Sequence, residues 1–390
     1  MPKKKILIVV PSFAIGGTIV SLNSMLSLID TKKYEIDVFA LNRKGEYLNR
    51  LPNCTILPEN IWLSHSAYTL GVVKNAINKI LRVIRVICRR LNWSSEPLLC
   101  KLADKQVNFQ QYDTVVNYAE SVADVVYHYP VRRRVTWIHC DYKRYLTLVG
   151  NRNETKVYEA YDTVVCVSEF AKGTFVECMP QMACKTVAIH NVINAEDIKQ
   201  KANETIDDEQ FKTDNYTIVS AGRLDPVKQF HLIPQLAADI KKQTDKKFVW
   251  YIIGGHRGFD SYVENIKKDI VRLGVTDCVI LLGEKSNVYP YMAKADLYVS
   301  TSESESFPLV INEAKALGVP IVSNNFGSAV ESVEDGVDGF IVSLNSDTFC
   351  EKILSMLSGV VQLPVWDIKS VFADKNQRIM NKIYSIINKA

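Results

Sequence analysis

The chain has 390 residues, of which 47% are hydrophobic and 23% charged, the balance of a soluble globular protein long enough for about two domains. The net charge of +4 is uneven: residues 1–195 hold 25 Lys and Arg against 16 Asp and Glu, and residues 196–390 hold 22 against 27, so the first half should face something anionic. No stretch approaches the roughly 18 apolar residues of a membrane span, and nine cysteines without a CxxC pair or Cys/His ligand spacing exclude a zinc site or disulfide frame in favour of reduced thiols in a cytoplasmic protein.

The first predicted strand, Lys5–Val10, follows a basic start. Its apolar run ends at Pro11, too short for a secretory leader. Gly16 and Gly17 follow in PSFAIGGTIVSL, where missing side chains let backbone approach a ligand closely. A second strand covers Glu35–Ala40. From Asn60 to Ser95 there is no acidic residue, and KNAINKILRVIRVICRRLNW lies within that stretch. On a helix, Lys74, Lys79, Arg82, Arg85, Arg89 and Arg90 share one arc opposite an apolar face. The segment near 74–93 is read either as a dock for anionic lipid at the cytoplasmic membrane face or as a helix packed on its own domain.

Further strands follow at Thr114–Asn117, Val135–Ile138, Thr163–Val167 and Lys185–Ile189. The segment TWIHCDY places His139 just past one of them. A lone His there is either packed into the structure or turned toward a ligand. Asn194–Asn215 is polar and acidic and reads as a helix-containing linker.

In the second half, strands are expected at Tyr216–Ser220, Lys247–Ile253, Val279–Leu282, Leu297–Ser300, Pro320–Ser323 and Gly339–Val342, with helices at Ser261–Leu273 and Leu309–Leu317. These runs are short, rich in Val and Ile and mostly not alternating, as strands buried on both faces are. Strands alternating with helices predict an α/β protein with two parallel sheets. The tail Asp367–Ala390 has one more helical pattern.

Two motifs carry chemistry. GRLDPVK puts Arg223 at a strand end and Lys228 at the start of the next helix. Ligands of open α/β sheets bind outside the carboxyl ends of strands, and both cations suit phosphate. ESFPLVINE spaces Glu305 and Glu313 eight apart across a loop-to-helix junction. The first-turn amides and the helix dipole there favour an anion, and carboxylates accept from sugar hydroxyls. Taken singly, the two cations could be solvated, Glu305 a dipole partner and Glu313 part of an exposed helix face. Together they suit a diphosphate flanked by sugars, a nucleotide sugar.

The stretch from Ile218 to Val342 resembles retaining glycosyltransferases of family 4, whose GT-B architecture has two Rossmann-like parallel-sheet domains facing across a cleft. The resemblance implies an acceptor-binding domain at 1–195, a nucleotide-sugar-binding domain at 196–366 and a helix at 367–390 packing back on the first domain. It implies that Arg223 and Lys228 bind the donor diphosphate as leaving group, that Glu305 faces the donor sugar and that Glu313 holds the ribose hydroxyls. Ser306, Phe307 and Leu309 would lie near sugar and phosphates, and His139 beside the sugar. Ser168 and Asn191 match segments that shape loops, and Asp141 is read as a contact or a helix cap. The implied activity is transfer of a hexose from a nucleotide diphosphate sugar, UDP-sugar favoured, to a glycan or lipid-linked acceptor in cell-surface polysaccharide synthesis. No metal and no other cofactor is expected: the cations stand where a metal would, and the chain has no DxD. A sugar-nucleotide epimerase or hydrolase on the same fold, and a non-catalytic nucleotide-sugar binder, are the alternatives. No GxGxxG follows a strand, against a nicotinamide dehydrogenase, and no aromatic-lined basic platform supports nucleic-acid binding.

Overall fold

Runs of Val and Ile with no polar alternation can only be satisfied by burial on both faces, and this places thirteen parallel strands in two sheets among the described residues. The computed structural model describes residues 2–59, 83, 87, 107–127, 131–149, 154–256, 258–343, 346–364 and 366–389. The basic segment read at 74–93 lies outside them, except for Val83 and Ile87, which are helical and exposed. The chain divides into two compact units, Met1–Val192 with Arg378–Ala390, and Ile193–Gln377.

The first unit holds β1 (Lys4–Ser12), β2 (Tyr34–Asn42), β3 (Thr55–Ile56), β4 (Thr114–Asn117), β5 (Arg134–Ile138), β6 (Thr163–Cys166) and β7 (Thr186–Ala188). Their spatial order is β3-β2-β1-β4-β5-β6-β7. The short edge strand β3, paired Asp37 to Thr55 and Val38 to Ile56, goes unseen in the sequence, because two residues carry no periodicity. Leu7, Val9, Phe39, Phe109, Tyr112 and Val115 form a core on one face. The end of the helix Ile368–Asn388 packs in this unit. Its Tyr384 ring stacks on Tyr34 at 5.1 Å, the Tyr384 hydroxyl accepts from the Asp30 amide at 2.9 Å, and Ile379, Ile383, Ile386 and Ile387 are buried.

The second unit holds β8 (Tyr216–Ala221), β9 (Phe248–Ile253), β10 (Val279–Gly283), β11 (Leu297–Ser300), β12 (Ile321–Asn324) and β13 (Gly339–Val342), in the order β10-β9-β8-β11-β12-β13. Core side chains cover both faces: Ile218, Trp250, Ile252 and Val299 on one, Val219, Tyr251, Tyr298 and Ile311 on the other. Each such aliphatic side chain contributes about 1.5–3 kcal/mol by leaving water. The buried Trp250 indole donates to Ser220 Oγ at 3.0 Å, which donates on to the Val299 carbonyl at 2.6 Å, so the indole and hydroxyl are both satisfied inside the sheet.

In both sheets the strand order reverses beside the first strand, between β1 and β4 and between β8 and β11. Such reversal points open a crevice at the carboxyl ends, where Rossmann-like sheets bind ligands. No helix among the described residues is long and apolar enough to cross a membrane.

Candidate active site

Six of the residues singled out in the second half of the sequence, and the carboxylate of Glu313, gather at the β8/β11 reversal. β8 ends at Ala221, and Gly222 and Arg223 follow. Lys228 does not start a helix, as the sequence suggested. It ends a 3-10 turn, Pro226–Lys228, capped by Asp225, and Gln229 then takes a left-handed φ of 51°. The proline at the turn's start and the sharp exit at Gln229 fold the segment back, so the next α-helix begins only at Ile233, after a second 3-10 turn at Phe230–Leu232. The result aims the Lys228 side chain across Gly222: a Cβ at Gly222 would sit 3.0 Å from Lys228 Cε.

The Lys228 ammonium pairs with Glu305 Oε1, both side chains less than one-fifth exposed. Ser302 Oγ donates to the same oxygen at 2.9 Å, and no described residue bonds Oε2. The loop carrying Glu305 is fixed from all sides. Thr301 Oγ1 donates to the Lys228 carbonyl at 2.6 Å, the Glu303 amide to the Val227 carbonyl at 2.8 Å, Ser328 Oγ to the Glu305 carbonyl at 2.6 Å and Asn324 Nδ2 to the Ser302 carbonyl at 2.8 Å. A cation and a carboxylate from segments 77 residues apart are thereby held as one unit. Arg223 is oriented differently. Its Nε and Nη2 both donate to Asp225 Oδ2 at 2.6 Å, Asp225 being buried. The Arg223 side chain is 63% exposed, so its other N–H groups face outward and remain available to an anion.

The helix Leu309–Ala316 follows Pro308, with no side-chain cap and no acidic residue in its first turn. Its first amides have no intrahelical acceptor, and Ser306 and the buried Phe307 lie just before Pro308 in the chain. The helix has no exposed face at Glu313: every residue from Ile311 to Ala316 is buried. Asn312 Nδ2 donates to the Pro308 carbonyl and to Ser332 Oγ, each at 3.0 Å, and Lys315 pairs with Asp338 at 2.5 Å. Glu313 accepts from the Tyr289 hydroxyl at 3.1 Å. Burial pushes its carboxyl up to about 7, against the pull of Tyr289, Lys228 and Lys201.

This carries a stability consequence. The folded carboxyl keeps its proton up to about pH 7, whereas the unfolded one releases it near 4.5. The folded state is therefore fully favoured below 4.5, and that advantage is lost as pH rises through 7. Glu313→Gln is expected to be more stable than the parent by up to about 3 kcal/mol at pH 8, with the difference shrinking toward pH 5, in urea unfolding at both pH values.

In the first unit, Gly16 precedes the helix Gly17–Ser27 at the end of β1. Its backbone is extended, and a Cβ at this position would meet nothing within 4 Å. Nothing internal requires glycine there. His139 follows β5. Its ring lies 4.8 Å from that of Tyr118 and its Nε2 is buried with no partner among the described residues. Burial lowers it to about 3, so the imidazole is neutral throughout the physiological range. The His139 amide donates to Glu120 Oε2 at 3.1 Å, and burial raises the Glu120 carboxyl. Asp141 Oδ1 accepts from the Arg144 amide at 3.3 Å and Ser168 Oγ from the Ala171 amide at 2.9 Å. Both are helix caps. Asn191 is buried.

Sequence reading missed Asp225, Ser302, Tyr289, Asn324, Ser328 and Glu120. Asp225 had a signal, an Asp immediately before Pro at a turn start. Tyr289 and Ser328 had none, because their partners are fixed only by tertiary packing.

Residues 201–362 match the family described as glycosyl transferases group 1. Over 122 residues the chain is 31% identical to N-acetyl-alpha-D-glucosaminyl L-malate synthase of Bacillus anthracis, covering 31% of this chain and only 30% of that relative. Over 352 residues it is 25% identical to N-acetylgalactosamine-N,N'-diacetylbacillosaminyl-diphospho-undecaprenol 4-alpha-N-acetylgalactosaminyltransferase of Campylobacter jejuni, covering 88% and 87% of the two chains. The structure of Anabaena Alr3699/HepE in complex with UDP and glucose superposes with a TM-score of 0.68 over 98% of this chain and 100% of that one, at 19% identity. The fold is GT-B.

Proposed function

We propose that this chain, whose residues 201–362 are a glycosyl transferases group 1 domain, moves a hexose from a nucleotide diphosphate sugar, a UDP-sugar by preference, to a glycan or lipid-linked acceptor with retention at the anomeric carbon. The observation that carries the reading is the Lys228–Glu305 pair at the β8/β11 reversal, flanked by the outward N–H groups of Arg223 and the uncapped start of the helix Leu309–Ala316. The arrangement supports a reading in which positive charge meets the departing diphosphate and a carboxylate lies beside the sugar it leaves. The relatives agree in kind: HepE is described with UDP and glucose, and the Campylobacter relative is named for transfer onto a diphospho-undecaprenol glycan.

In this mechanism the bond from the anomeric carbon to the diphosphate oxygen breaks while the acceptor hydroxyl attacks from the same face and passes its proton to the departing phosphate. Lys228, Arg223 and the helix start stabilise the charge that grows on the diphosphate. Glu305 accepts from sugar hydroxyls and Glu313 from ribose hydroxyls, while neutral His139 offers its Nε2 to a sugar hydroxyl. The protein's cations take the electrostatic role, and no metal is called for. With a lipid-borne acceptor, the basic segment near 74–93 supplies contact to an anionic membrane surface.

A thermal-shift screen of UDP-, GDP- and ADP-sugars in EDTA tests the donor. A ligand at a hundred times its Kd stabilises by about 2.7 kcal/mol, so a UDP-sugar should raise Tm by a few degrees and the other nucleotides less. No shift with any of them would overturn the reading. Turnover that releases UDP equally with and without an acceptor would point to the hydrolase instead.

A further inference from the structure

Inside the helix Leu309–Ala316, the Glu313 carboxylate accepts a 3.1 Å hydrogen bond from a neutral side chain, the Tyr289 hydroxyl. Tyr289 is itself anchored. It opens the helix Tyr289–Ala293, and its amide donates to Asn287 Oδ1 at 3.0 Å. Asn287 Nδ2 in turn donates to the Lys201 carbonyl at 2.9 Å, at the end of the helix Ala195–Ala202. A chain of bonds thus runs from that helix through Asn287 and Tyr289 to the carboxylate. Among the described residues, the titratable and charged groups facing Glu313 are Tyr289, Lys228 from the turn after β8, Lys201 from the helix Ala195–Ala202 and Tyr298 from β11.

We propose that Tyr289 is a positioning residue, anchored by Asn287, that favours the ionised form of Glu313 and aims it for the ribose hydroxyls, so that nucleotide-sugar affinity rises with pH under the control of this phenol. The inference rests on the donor reading above. A carboxylate accepts two hydroxyl donors at once, whereas a carboxylic acid spends one oxygen as a donor. Burial outweighs the pull of Tyr289, Lys228 and Lys201, and the balance leaves the Glu313 carboxyl at about 7, with Tyr289 the largest of the opposing influences. Its loss leaves the charged form with less support and the side chain with one fewer constraint.

The test is calorimetric titration of UDP-glucose, whose phosphates do not titrate near neutrality, at intervals from pH 6.0 to 8.5. The parent should bind more tightly as pH rises through about 7, and Glu313→Gln should show weak binding with no pH dependence. Tyr289→Phe should shift the parent's midpoint upward, weakening binding about five- to tenfold at pH 7 and recovering most of it at pH 8.5. A merely structural lesion would weaken binding equally at every pH. Asn287→Ala should shift the midpoint in the same direction by less, and it decides the matter if Tyr289→Phe fails to fold. An unchanged midpoint in these variants, with UDP-glucose still bound, overturns the role of Tyr289 and leaves the donor reading standing. Absence of binding in the parent overturns the donor reading and this inference with it.

Discussion

Lys228→Ala is expected to lower kcat by about a thousandfold while leaving a folded protein. The ammonium lies across Gly222 against Glu305, in a setting less than one-fifth exposed, where a charge acts on a departing diphosphate with little screening. Removing a single preorganised donor of this kind costs about a hundred- to a thousandfold, and here the donor carries a full charge. Stability should suffer less. Glu305 loses its ion pair but keeps Ser302 Oγ at 2.9 Å, so the cost is that of one weakened, partly buried carboxylate, about 1–3 kcal/mol. Arg223→Ala should cost less activity than Lys228→Ala, because its side chain is 63% exposed and shares itself with Asp225. Steady-state kinetics with the donor identified by thermal shift, alongside urea unfolding, separates the two effects. Turnover of Lys228→Ala within tenfold of the parent would remove Lys228 from the chemistry.

A large loss of stability is expected at a glycine packed against the backbone of a neighbouring strand end. Gly254 follows β9 with a φ of +157°, and a Cβ there would fall 1.8 Å from the carbonyl oxygen of Gly222, far inside contact distance. Neither side can yield. The Gly222 amide donates to the Ile253 carbonyl at 2.9 Å, the Gly254 amide to the Gly283 carbonyl at 2.9 Å, and the Leu224 amide to the Gly255 carbonyl at 2.8 Å. Accommodating one methyl group means breaking this lattice at the carboxyl ends of β8, β9 and β10 in addition to adopting a backbone conformation that alanine disfavours. Gly254→Ala should cost at least about 3 kcal/mol, among the larger effects of a single substitution. Because the Gly222 carbonyl lies in the segment that leads to Arg223 and Lys228, any protein that still folds should bind nucleotide poorly. Gly16→Ala is the comparison: the backbone is extended and the space open, so its stability should stay within about 0.5 kcal/mol of the parent. Equal unfolding midpoints for Gly254→Ala and Gly16→Ala would contradict this expectation.

What could be read in the sequence divides along a physical line. Buried parallel strands declare themselves as unbroken Val and Ile runs, and the twelve expected ones all form, within a few residues of their expected ends. The two-residue edge strand β3 offers no run to see. Lys228 and Glu305 were legible as motifs, but their direct pairing was not, because it depends on a turn that ends in a left-handed Gln229 and on side chains of Thr301, Asn324 and Ser328 reaching backbone carbonyls. Charge pattern alone left Glu313 open between a solvent face and a binding role. Only the packing of its helix between β11, β12 and the helix Tyr289–Ala293 shows that the carboxylate is buried. The same limit hid Tyr289, whose relation to Glu313 spans 24 residues and two helices.

One contact decides the proposed chemistry, that of the Lys228 ammonium with a donor diphosphate. A crystal structure with UDP-glucose, grown in EDTA, measures it directly. The prediction is Lys228 Nζ within about 3.2 Å of a diphosphate oxygen, with the ribose hydroxyls on Glu313. A diphosphate bound away from the β8/β11 reversal, with Lys228 making no contact to it, would contradict the central claim.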